Sequence, residues 1–156
     1  MKINWKLLVT CIAIPLAVGV LSSFLTRGGM ELFETIQKPA SSPPSWIFPV
    51  VWTLLYTLMG ISSYLIIISG GEEECIKDAI SVYAYQLTVN FLWPTFFFSF
   101  QWFFVSFLWI LLLILLVAVM ILNFWKLSKA AAYLNIPYLL WLCFAAYLNL
   151  TIWWLN

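Results

Sequence analysis

The chain has 156 residues, 65% of them hydrophobic and 8% charged, with no His and a formal net charge of +1. A mean hydropathy of +1.03 lies outside the range of soluble proteins and makes this an integral membrane protein of one domain's length. Without His the usual zinc and haem ligand sets are missing; three Cys without a CxxC pair give neither a disulfide framework nor a metal site, and so small a charge implies no nucleic-acid partner.

Lys, Arg, Asp and Glu are absent from four runs, 7–26, 39–71, 79–125 and 130–156. A hydrocarbon core of about 30 Å needs about 20 helical residues, so the 47-residue third run holds two spans joined by a turn near 99–101. The expectation is an all-α, five-transmembrane-helix bundle forming a single membrane domain over 1–156. Its helices lie near 5–26, 46–69, 79–98, 102–125 and 130–154, with a lid loop over 27–45. A β-barrel is disfavoured because its strands would alternate in segments of about ten residues.

The first helix follows Lys2 and Lys6 like a signal peptide, but it is long, lacks an A-x-A site and precedes four more spans. It carries a small face of Cys11, Pro15 and Gly19, then Ser22, Ser23 and Thr26. In the lid, Pro39, Pro43 and Pro44 fix φ and bias their predecessors toward extended backbone, which stiffens the segment. The second helix places Trp52, Tyr56 and Gly60 on one stripe, and Glu72, Glu73 and Glu74 follow it in a solvated loop. In the third helix Gln86, Asn90, Trp93 and Phe97, spaced by 4, 3 and 4, share one face. The fifth aligns Tyr138, Trp141, Ala145 and Asn149. Pro15, Pro49, Pro94 and Pro137 are tolerable where neighbouring helices pack.

Five spans put Lys2, Lys6, Lys77, Lys126 and Lys129 at one end of the bundle and Arg27 and Lys38 at the other. The positive-inside rule then makes this a multi-pass cell-membrane protein with a cytoplasmic amino terminus and an outside carboxyl terminus. Trp5, Trp102, Trp125, Trp153 and Trp154 fall at helix ends, as interfacial anchors do. Trp52, Trp93, Trp109 and Trp141 lie within spans and require another role.

No ionisable acid or base lies in the spans, which argues against ion-coupled transport. No phosphate-binding loop or nucleophile with an accompanying base is present for hydrolysis or phosphoryl transfer. Counting about 1.5 Å per residue sets Trp52, Asn90 and Asn149 at one depth beneath the lid, Ala145 and Gln86 a turn deeper, and Trp141 deeper again. Amides at such depth also serve as interhelical glue worth about 0.6 kcal/mol. A common depth, ring-rich walls and a stiff cap favour a cavity for a flat, largely apolar ligand.

Three segments, KPASSPPSWIFPVVWTLLYTLMG at 38–60, YQLTVNFLWPTFFF at 85–98 and PYLLWLCFAAYLN at 137–149, make the chain resemble the TSPO/MBR family of translocator and tryptophan-rich sensory proteins. The resemblance implies a five-helix bundle that binds porphyrins such as protoporphyrin IX, isoquinoline carboxamides or benzodiazepines and, in animal members, sterols. Protoporphyrin IX would be a ligand; no cofactor is implied. Family ligand contacts map onto Trp52, Asn90, Trp93, Trp141, Phe144, Ala145 and Leu148, with Phe48 and Pro44 as lid-side neighbours. With Tyr56, Gln86, Phe97 and Asn149 from the helix faces, these complete the expected site.

Bacterial relatives are linked to light-dependent porphyrin degradation, which would make Trp52 and Trp141 redox-active indoles, a catalytic role. The resemblance further implies a homodimer through the third helix, although Tyr85 stands where a small residue would permit close approach. The loop carries one more residue between KP and PP than the animal pattern, and Ser41 stands near where Trp is common. The tail LNLTIWWLN lacks the Tyr and basic residue of the animal cholesterol motif, so a bacterial member fits better. A sensor or receptor is the leading expectation. The alternatives are a passive transporter of tetrapyrroles or other small apolar metabolites, disfavoured by an odd span count, and a membrane assembly factor without a pocket.

Overall fold

The computed structural model describes residues 3–156, the side chain of Met30 apart. Lys2, counted in the orientation argument, lies outside the described residues. The described residues form seven helices: α1 (Trp5–Leu25), α2 (Gly29–Thr35), α3 (Ile47–Ile67), α4 (Glu73–Pro94), α5 (Phe103–Leu127), α6 (Lys129–Leu134) and α7 (Ile136–Leu155). A single π turn, Thr95–Ser99, extends α4. The protein is thus an all-helical membrane bundle.

Among the described residues, α1, α3, α5 and the α6–α7 pair are long and apolar enough to cross a bilayer. The fourth long helix, α4, has Glu73, Glu74, Lys77 and Asp78 in its opening turns and becomes apolar only from Ala79. It starts six residues before the expected boundary at 79, because Glu73 and Glu74 in the first turn complement the helix dipole. The acidic cluster is therefore the exposed start of a helix, with Glu72 just ahead of its first turn, rather than a loop.

The expected fifth helix over 130–154 is broken at Asn135. Pro137 has no N–H to return to Tyr133, which interrupts the ladder, and the Asn135 side chain meets the exposed polar groups. Its Nδ2 donates to Ala131 O at 2.9 Å and to Ser62 Oγ at 2.6 Å, while Ser62 Oγ donates to Ala131 O at 2.8 Å. The break in one helix thereby becomes its tether to α3. The loop expected over 27–45 also contains a helix, α2, entered through Gly28 at φ 83, a left-handed conformation that glycine adopts without a Cβ penalty.

The helices close into a ring. α1 packs beside α3 and α4, α3 rests on α6, and α5 lies between α4 and α7. On α5, Ser106, Ile110, Leu113, Val117, Met120 and Phe124 are buried, a 4-3-4-3-4 repeat that gives one continuous inward stripe. Leu108, Leu115 and Leu122 project from its opposite side, where lipid would cover them. The remaining core joins Leu55, Met59, Leu87, Val117, Met120 and Leu142 from four helices.

α1 and α3 make their closest approach at Gly60, where an added Cβ would strike the Ile12 Cα and come within 2.7 Å of the Cys11 carbonyl oxygen. Backbone atoms cannot swing aside as a side-chain tip can. Gly60→Val is therefore expected to lower stability by about 1–3 kcal/mol, seen as a lower midpoint of thermal unfolding in detergent. Gly71→Ala, whose added carbon meets only the flexible end of Leu127, should leave the midpoint unchanged.

Candidate ligand pocket

The geometry of the upper bundle begins with Pro94. Lacking an N–H, it frees the Asn90 carbonyl from the helical ladder, and the chain then widens into the π turn, in which Phe100 N–H donates to Thr95 O at 3.0 Å. Trp102 N–H closes the turn on Phe96 O at 3.0 Å. The wide turn carries Phe97 inward to stack on Trp93, ring centres 5.3 Å apart, and there it is almost fully buried. The expected face of Gln86, Asn90, Trp93 and Phe97 thus persists although its last member is no longer in an α-helix.

Below these rings runs a chain of side-chain hydrogen bonds. Tyr56 Oη donates to Asn90 Oδ1 at 2.6 Å, Asn90 Nδ2 donates to Tyr138 Oη at 2.8 Å, and Tyr138 Oη donates to Gln86 Oε1 at 3.0 Å. Gln86 Nε2 ends the chain on Met59 Sδ at 3.8 Å. All five residues are buried. The chain joins α3, α4 and α7 and supplies the partners that polar groups in a bilayer interior otherwise lack.

Above this floor opens a cavity of about 600 Å³. Trp52 and Tyr56 form the α3 wall, their rings 5.4 Å apart. Trp141, Ala145, Leu148 and Asn149 form the α7 wall, and Asn90, Trp93 and Phe97 the α4 side. Phe48 lies 5.9 Å from the Trp141 ring and 5.1 Å from Phe33 of α2, so aromatic contact continues from the wall into the lid. On α1, Gly19 makes room: a Cβ there would collide with the Tyr56 ring.

Three expected site residues stand elsewhere. Gln86 is fully buried beneath the cavity and belongs to the hydrogen-bond chain. Pro44 is exposed and faces a separate surface recess. Phe144 sits behind the wall, its ring 5.6 Å from Trp141, and does not line the cavity. Trp109, the other tryptophan within a span, donates its Nε1 to Val89 O at 2.7 Å and braces α5 on α4.

Other lining residues were not singled out from the sequence. Phe33 lies within the segment expected as a loop, while Ile110 and Leu113 come from α5, whose uniform apolarity hides which face turns inward. Tyr138 was visible on the Trp141 stripe, and its role in holding both amides was not.

The lid is fastened to α7. Gln37 N–H donates to Asn156 Oδ1 at 3.0 Å and Asn156 Nδ2 donates back to Gln37 O at 2.9 Å, while the Ser41 and Tyr147 hydroxyls meet at 3.0 Å. Phe33, Phe97 and Ile152 pack together beneath it. The side between α1 and α3 is different. Val20 and Ser23 of α1, Trp46 just before α3, and Pro49 and Thr53 of α3 line the cavity and are also exposed on the outside of the bundle. The cavity therefore reaches the lipid-facing surface there. Trp93 Nε1 and Asn149 Oδ1 are buried beside it without hydrogen-bond partners.

Residues 11–155 match the family profile described as the TspO/MBR family. The chain belongs to that family. It is 36% identical over 150 residues to the tryptophan-rich protein TspO of Chlorobaculum tepidum, covering 96% of this chain and 95% of the relative. It is 36% identical over 143 residues to the translocator protein of Ovis aries (90% and 84%) and 31% identical over 149 residues to the tryptophan-rich sensory protein of Cereibacter sphaeroides (96% and 90%). The profile match spans all three segments that carried the resemblance, and the bacterial and mammalian relatives align over 90% or more of the TspO/MBR chain.

Tyr138→Phe keeps the ring but leaves Gln86 Oε1 and an Asn90 N–H without their partner. The loss is expected to cost about 1–3 kcal/mol and to appear as a lower thermal unfolding midpoint in detergent.

Proposed function

We propose that this TspO/MBR protein is a membrane receptor for a flat, largely apolar tetrapyrrole, with protoporphyrin IX as the representative ligand, held in the cavity beneath the lid. The observation that carries the reading is a cavity of about 600 Å³ walled by Trp52, Trp93, Trp141 and Phe48 over a floor whose amides are already paired. That volume falls in the range of about 300–1,000 Å³ found for small-molecule sites, and indole faces stack on flat rings at favourable energy. Isoquinoline carboxamides suit the same walls. Opening toward lipid between α1 and α3 supports a ligand that partitions into the bilayer. The amino terminus faces the cytoplasm, as the positive-inside rule requires.

A blind cavity supports binding over the passive passage considered above. Its outer end is covered by a lid hydrogen-bonded to α7, and its inner end is sealed by the Tyr56 to Gln86 chain and the packed core below. Ala145→Phe, which places a ring inside the cavity, is expected to weaken protoporphyrin IX binding about fivefold or more in a tryptophan-fluorescence titration, since overpacking of this kind costs about 1–3 kcal/mol. Leu140→Phe, on the exposed face of the same helix, should bind as wild type does. Equal affinity in all three proteins would exclude the pocket.

Trp52 and Trp141 both line the cavity and stand as the residues for light-driven porphyrin loss. The double replacement of both by Phe is expected to keep porphyrin binding within about tenfold, because ring stacking survives, and to abolish loss of porphyrin absorbance under illumination in air. Photobleaching at the wild-type rate would remove the indoles from the chemistry.

A further inference from the structure

The lid holds a second, smaller recess of about 330 Å³ that shares two of its walls, Phe33 and Ser45, with the main cavity. Lys38 stands in it. Its side chain is only 22% exposed, and its Nζ sits 4.5 Å from the centre of the Phe33 ring. One N–H is donated to the Phe33 carbonyl. Glu34 approaches at 3.7 Å, longer than a good hydrogen bond, and is itself 60% exposed. An ammonium group has three donors, so capacity remains for another acceptor. Ser42 Oγ, also lining the recess, is buried without a hydrogen-bond partner.

We propose that Lys38, with Ser42, forms an anion subsite that receives a carboxylate arm of a ligand whose apolar body fills the main cavity. The inference rests on the pocket reading above and adds a chemical class to it: the preferred ligand is an apolar ring system bearing an acid. Placement supports this. Phe33 and Ser45 border both spaces and the Lys38 ammonium lies over the Phe33 ring, so an arm that displaces this shared border leaves apolar walls and meets a held cation. Within the cavity itself the lining residues include no Lys or Arg, and Arg27, the other basic residue at this end, lies outward over the Phe24 ring. Holding Lys38 against Phe33 also removes much of the side-chain freedom that would otherwise be lost on binding. Glu34 is the competing anion, poised to withdraw when the carboxylate arrives.

The test is a titration of the full-length protein in lipid nanodiscs with protoporphyrin IX and with its dimethyl ester, which has the same ring and no charge. Wild type should favour the acid. Lys38→Gln should weaken the acid about tenfold or more, the scale of a hydrogen bond to a charged group, and leave the ester unchanged, which also reports an intact fold. Glu34→Gln should leave the ester unchanged and tighten the acid about twofold to threefold, as a weakly competing exposed charge would. The proposal is overturned if Lys38→Gln weakens acid and ester alike, if it weakens neither, or if Glu34→Gln costs as much acid affinity as Lys38→Gln. Saturable wild-type binding of both porphyrins with equal affinity refutes the subsite alone. No saturable binding of either removes the pocket and the subsite together.

Discussion

The arrangement of the upper bundle depends on the need to pair every polar group that the membrane would otherwise strand. Asn90 accepts from Tyr56 and donates to Tyr138, and Tyr138 donates its own O–H to Gln86. Because each donor in this chain has one acceptor in reach, the rotation of α3, α4 and α7 about their axes is fixed together. A helix turned by one residue would move its member about 100° around the helix and leave two buried groups unpaired. The same pairing decides what the cavity can offer. With the floor amides committed to one another, the surface presented upward is mainly aromatic carbon, and discrimination by shape and stacking replaces discrimination by a floor of open amides.

The two ends of the bundle solve the packing problem differently, and the cavity is the result. Toward the amino-terminal end, Gly60 lets α1 and α3 touch backbone to backbone, and Ser62 with Asn135 ties α3 to the start of α7. Toward the lid, Tyr56 fills the place beside Gly19, and the packing of α3 on α6 at the other end has no counterpart of the same extent between α3 and α7. Large rings hold the helices apart where small residues had drawn them together. Such a wedge produces empty volume without requiring any helix to unwind, and the π turn after Pro94 serves to bring Phe97 back over the cavity.

The long helices could be read from the sequence because charge was absent from them, and a run of about 20 apolar residues in a membrane has few other structures open to it. Faces could be read where polar residues punctuated an apolar helix, as Gln86 and Asn90 do in α4. Depth counting then placed Trp52, Asn90 and Asn149 around one cavity, because rise per residue is nearly constant. The same arithmetic could not separate Asn90, which borders the cavity, from Gln86, one turn deeper and sealed beneath it. That difference is made by Tyr138, a ring from another helix. Phe144 stands outside the lining for a related reason: helical spacing gives direction to within a turn, whereas the Trp141 ring decides which neighbour stands in front. The short α2 and the break at Asn135 depend on Gly28 and on a side chain bridging to Ser62, both too local to leave a periodic signal.

The lid shows most clearly why the rest was not legible. Its prolines announced stiffness, but stiffness alone does not say where a segment is held. Its fastening comes from Gln37 against Asn156, residues 119 positions apart, and from Ser41 against Tyr147. Each of these bonds lies near the water boundary, where a single one contributes about 1 kcal/mol. Three of them, with Phe33 seated against Phe97 and Ile152, are enough to hold a preorganised cover while keeping the cost of displacing it below that of disrupting the floor. The cavity is thus bounded by a deep network that must stay intact, a lid of intermediate strength, and an open margin between α1 and α3. On the proposed function, an apolar ligand arriving from the bilayer would meet the margin first, so the lid would govern how the ligand is held and the lipid-facing side how it arrives.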